Sequence, residues 1–183
     1  MIEDIGKTLK LDCLEMPFNE IEALKFLSQN PWKAFFIHGE ILMSEISSEH
    51  INDKCIYSFG GIVVDCGRKI YIGAATVDVT PGEDIFRIGV WEDIRFGEPE
   101  YEKLFRPSRR LLTQFPDNLK LDSFLGTNLT IKRVKDSCMI DNTIFTCDKG
   151  LLVRNLNSQI LLVVVDESIP LNIKVTMSAQ ECI

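Results

Sequence analysis

Histidine is scarce in this 183-residue chain: His38 and His50 are the only two, and none of the six cysteines lies in a C-x-x-C pair. A tetrahedral zinc site of the usual local spacing is therefore not encoded. His38-Gly39-Glu40 has the H-x-E spacing of zinc nucleobase deaminases, but the partner P-C-x-x-C element is missing. His38 thus reads as a strand-end residue and His50 as a loop residue. Phe59-Gly60-Gly61 lacks the G-x-x-x-x-G-K spacing and the following helix of a phosphate cradle. Neither a catalytic set, a metal nor a cofactor is expected. Long apolar runs are also missing. Ile160–Val165 ends at Asp166-Glu167, far short of the ~20 residues that span a bilayer. Met1-Ile2-Glu3-Asp4-Ile5-Gly6-Lys7 shows no positive leader before an apolar block, so a soluble cytoplasmic protein is expected. In that compartment Cys13, Cys55, Cys66, Cys138, Cys147 and Cys182 are expected as free thiols. Basic charge is in deficit. The net −7 argues against a nucleic-acid partner, because phosphate neutralisation needs a cationic face, and the lack of a spanning run against a membrane one.

What the chain does contain is β-patterned sequence, arranged as if written twice. Gly61-Ile62-Val63-Val64 returns as Gly150-Leu151-Leu152-Val153, Ile56-Tyr57 as Ile144-Phe145, and Pro81 as Pro170, at nearly constant offset. This predicts a single domain with an internal pseudo-repeat over 36–95 and 124–178 and a connector over 96–123. Period-two runs predict strands over 33–39, 40–46, 55–59, 62–66 and 69–72, with a tight hairpin at Cys66-Gly67-Arg68-Lys69 and its counterpart at Asn155-Leu156-Asn157-Ser158. Residues 8–13 alternate as an edge strand, and residues 171–175 as a last one. Asn19-Glu20-Ile21-Glu22 predicts a helix start, Ile21, Leu24 and Leu27 a helical stripe, and Pro31 the stop. A short connector helix is predicted over 107–114. The expected fold class is α+β, mainly antiparallel β: two related meander halves packed together under one or two helices.

Charge is unevenly spread. Between positions 78 and 102, Asp78, Glu83, Asp84, Glu92, Asp93, Glu98, Glu100 and Glu102 face only Arg87 and Arg95, a net −6. Trp91, Phe96 and Tyr101 are interleaved with these acids. Trp and Tyr concentrate binding energy at interfaces, and surrounding carboxylates steer a basic partner. These eleven residues (the three aromatics and eight acids) are the expected partner-binding set.

A short, acidic, β-rich chain of this type resembles the small bacterial immunity proteins of contact-dependent inhibition and related polymorphic toxin systems. The resemblance implies a cytosolic protein that binds and neutralises one cognate toxin domain, often a basic nuclease; it carries over no individual residue. Two other readings stand beside it. One is a structural or self-assembling β-module. The other is an enzyme of unrecognised class centred on Cys66, flanked by Arg68 and Lys69, or on His38.

Overall fold

The computed structural model describes residues 14–39, 42–48, 51–80, 83–107, 121–140, 143–166 and 171–178. The expected strand over 8–13 and most of the expected helix over 107–114 lie outside them.

Two antiparallel sheets carry the chain. Helix α1 (Phe18–Gln29) is followed by β1 (Ala34–His38), β2 (Leu42–Ser48), β3 (Ile51–Phe59), β4 (Gly61–Asp65), β5 (Lys69–Thr80) and β6 (Glu83–Glu92). A single helical turn α2 (Pro99–Glu102), β7 (Phe105–Pro107), a 3-10 turn (Leu121–Phe124), β8 (Thr130–Ile140), β9 (Thr143–Arg154), β10 (Ile160–Val165) and β11 (Ile173–Ser178) complete it. One sheet has the order β6-β5-β4-β1-β7 and the other β2-β3-β11-β10-β9-β8. The fold is α+β and mainly antiparallel β, as the periodicity predicts.

Alternation decides which side chains meet. Phe35, Ile37, Ile62, Val64, Ile70, Ile72, Ile88 and Val90 line the inner face of the five-stranded sheet. They share one buried cluster with Phe59, Leu151, Val153, Leu161, Val163, Val165, Ile173 and Val175 of the other sheet. Trp32, Leu121, Phe124 and Leu27 of α1 fill one margin of this core, with Ile21 and Leu24 packed against it as the helical stripe predicts. The Trp32 indole N–H donates to the Leu27 carbonyl at 2.9 Å, tying the helix end to β1.

The helix start differs from the expected cap. Pro17 stands at the N-cap with no side-chain cap hydrogen bond. Glu20 turns instead to the edge of β6, where its carboxylate accepts from both terminal nitrogens of Arg87 (2.7 and 2.8 Å) and from the Val90 backbone N–H at 3.2 Å. An otherwise open sheet edge is thereby covered.

The repeated segments take different courses. Residues 144–153 run in one continuous strand, β9, whereas 56–64 are divided at Gly60 between β3 in one sheet and β4 in the other. Both then enter a hairpin followed by further antiparallel strands: β4–β5–β6 and β9–β10–β11. The hairpin at Gly67 (φ 98°) and the turn at Ser158 (φ 61°) both use the left-handed region. Leu171, expected inside the last strand, precedes it as an exposed turn residue at φ 67°.

Candidate functional site

The outward face of the five-stranded sheet is built in two rows. Cross-strand register aligns Phe36, Val63, Tyr71 and Trp91 in one, and His38, Gly61, Gly73 and Gly89 in the next. The glycines are required by the aromatics beside them. A Cβ on Gly73 would stand 2.3 Å from Tyr71 Cε1, on Gly61 2.3 Å from the Tyr71 hydroxyl, and on Gly89 2.5 Å from Trp91 Cζ3. The aromatic rings lean over backbone that has no side chain to block them, an arrangement used to cover glycine in sheets. Tyr71 and Trp91 stack with centroids 4.8 Å apart and planes at 23°.

Residues 93–104 close over this face as a compact lid. Its backbone is fixed by Asp93 N–H to the Lys69 carbonyl (2.7 Å), Glu98 N–H to Arg95 (3.0 Å) and Leu104 N–H to Tyr101 (3.0 Å). The Asp93 carboxylate accepts from the Arg95 backbone N–H at 3.2 Å and from the Tyr101 hydroxyl at 2.9 Å. Partial burial, then the hydrogen bond to Asp93, pushes the Tyr101 hydroxyl up to about 12. Phe96 packs on Phe36 with centroids 4.8 Å apart, and Lys69 lies 5.7 Å from both rings. The Arg95 guanidinium sits 4.5 Å over the Tyr101 ring. β7 then anchors the lid by pairing with β1.

The acidic, aromatic segment is therefore sorted into two sides. Asp93, expected on a partner surface, is 7% exposed and holds the lid together, its buried carboxylate satisfied by the Tyr101 hydroxyl and the Arg95 backbone N–H. Phe96 and Tyr101 pack inward, and Trp91 is half-buried against Tyr71. Glu92, Glu98 and Glu100 are exposed as expected, and each lies beside a cation of this chain: Arg68 (3.6 Å), Arg95 (3.6 Å) and Lys103 (2.5 Å). The side chains of Asp78, Glu83, Asp84 and Glu102 lie outside the described residues; the backbone register sets Asp78 directly across from Asp84. Sequence reasoning missed two residues of the outer side, Ile94 (88% exposed) and Leu104 (52%). Ile94 adjoins the inward-facing Asp93 and Leu104 lies three residues beyond Tyr101, and nothing in local sequence separates either from an ordinary core residue.

The two residues named for an enzyme lie in different surroundings. Cys66 is 3% exposed and belongs to the core, and burial pushes its thiol above the ordinary value despite Arg68 and Lys33. His38 is partly buried at the end of β1, with Nδ1 2.9 Å from the Tyr71 hydroxyl, which itself donates to the Gly60 carbonyl at 3.1 Å. The one phenolic proton is shared between these two neighbours, and the His38 ring donates from Nδ1 when that proton goes to Gly60 and accepts there when it does not. Desolvation lowers the His38 pKa, against an opposing pull from Asp93. Cys66 and Cys147 are free thiols, and among the described residues no three His, Cys, Asp or Glu side chains converge as a metal site. No helix among them is long and apolar enough to cross a membrane.

No protein family, curated protein or solved structure matches this chain.

Proposed function

We propose that this protein is a cytoplasmic binding protein of the immunity type, docking a basic toxin domain on the outer side of residues 91–104 and neutralising it by occlusion. The observation that carries this reading is the sorting within the lid. Asp93, Phe96 and Tyr101 face inward and fix the backbone, while Ile94, Leu104, Glu98 and Glu100 face solvent. Apolar side chains displayed on a backbone that is already ordered lower the entropic cost of association. Exposed carboxylates accelerate the approach of a cationic partner. Their present ion pairs are solvent-exposed, each worth well under ~1 kcal/mol, so a partner's arginine can displace them.

Co-expression with the polypeptide encoded beside it, followed by calorimetry at two salt concentrations, tests the proposal. Ile94→Glu with Leu104→Glu should weaken the complex at least about tenfold, and Glu98→Lys with Glu100→Lys should also flatten its salt dependence. Unchanged affinity in both variants removes the lid from the interface. Self-association without a heterocomplex would favour the assembly module instead.

A further inference from the structure

Beside the lid, where β3 leaves one sheet and β4 enters the other, the surface opens into a cavity of about 550 Å³. Its cause is topological. The β4–β5 ladder ends at Gly61↔Gly73, because the chain turns away at Gly60, while β5 continues past Ala74 with β6 alone. The space left is walled by His38, Gly60, Tyr71, Trp91, Leu171 and Asn172. Its volume falls within the range of small-molecule sites, roughly 300–1,000 Å³.

We infer that this cavity is a binding site for a small, neutral, planar molecule carrying one hydrogen-bonding group, such as an aromatic amide or a nitrogen heterocycle. Four observations carry the inference. The stacked Tyr71–Trp91 pair provides an aromatic wall, and the neighbouring glycines hold that wall in place. None of the described lining residues is Lys, Arg, Asp or Glu, and the Asp93 carboxylate felt by His38 is already engaged by Tyr101 and the Arg95 backbone N–H, so a charged ligand would lose hydration without a counter-charge in the lining. The polar side chains of the described lining carry no permanent charge: Asn172, the Tyr71 hydroxyl, the Trp91 indole and a His38 ring whose pKa burial lowers. At the rim, Leu171 combines a left-handed backbone (φ 67°) with a side chain 56% exposed. Backbone strain and an apolar side chain left in water are both unfavourable in the empty protein, and strained residues of this kind cluster at ligand clamps. A ligand covered by Leu171 would recover the second. The site shares Trp91 with the proposed docking surface, but its test needs only the protein alone, so the two proposals can fail separately.

The test uses benzamide and indole as probes on the isotope-labelled full chain, with benzoate and benzylamine as charged comparators, followed by amide chemical shifts. The expected result is binding of at least one neutral probe, with shifts centred on His38, Gly60 and Asn172, and about tenfold weaker binding of both charged molecules. Leu171→Gly, which suits the left-handed backbone, should raise the melting temperature yet weaken the neutral probe several-fold. Failure of both neutral probes to bind at about 10 mM overturns the site. So do shifts confined to other surfaces, equal binding of the charged probes, or binding indifferent to Leu171→Gly with a folded variant.

Discussion

The Asp93 carboxylate and the Tyr101 hydroxyl, 2.9 Å apart, hold residues 93–104 against the sheet from within. Asp93→Asn keeps the shape and removes the charge. Burial first and Asp93 second push the Tyr101 hydroxyl up to about 12, so the variant, which removes the Asp93 charge and leaves the burial, should move it only part of the way back toward 10, followed by phenolate absorbance. Because the native phenol keeps its proton to higher pH than the unfolded one, its contribution is complete below pH 10 and is lost as pH rises toward 12. Urea unfolding at neutral pH should show a loss of about 1–2 kcal/mol for Asp93→Asn.

Glu20→Ala should be far more damaging. It removes the carboxylate to which both terminal nitrogens of Arg87, a side chain 9% exposed, donate, and with it the acceptor for the Val90 N–H. A loss of about 3–5 kcal/mol in denaturant unfolding is expected, much of it recovered when Arg87 is also replaced, by Met, so that no buried charge is left without that carboxylate.

Acid stability should carry a signature of His38. Its native pKa lies below the ordinary 6.5, so the unfolded chain takes up a proton first. Stability therefore falls as pH drops through 6.5 toward the native value, and levels off below it. In His38→Gln this segment of the stability–pH curve should flatten, measured by thermal unfolding at closely spaced pH; an unchanged slope would assign it to other groups.

Gly73→Ala brings a methyl to within 2.3 Å of Tyr71 Cε1, and Gly89→Ala brings one to 2.5 Å of Trp91 Cζ3. Each should cost about 1–3 kcal/mol. Both should also alter the emission of Trp91, because the Tyr71–Trp91 stack has to open; Trp32, 1% exposed beneath the other face, should contribute an unchanged signal.

The local devices of this fold were legible. Alternation gave the strands, the turn residues at Gly67 and Ser158 gave two hairpins, and the Ile21, Leu24, Leu27 stripe gave the helix face. What local pattern does not contain is register between distant strands. Gly61, Gly73 and Gly89 are unevenly spaced in sequence and become one row only through pairing. The division of 56–64 between two sheets is likewise set by which partner each strand finds. At the lid, consecutive carboxylates read as one solvated face. Asp93 leaves that face because Tyr101, eight positions away, offers a hydroxyl, a preference invisible in composition.

Phe59 pairs with Ile173, so β3 finds its second neighbour only in β11, the last strand among the described residues. During synthesis the β2–β3 hairpin must wait, with one side exposed, until more than a hundred further residues have been made and 173–175 have left the ribosome. Slow, late-completing assembly follows from such distant pairing, and the interval before β11 arrives is when the nascent chain is most open to mispairing with other strands.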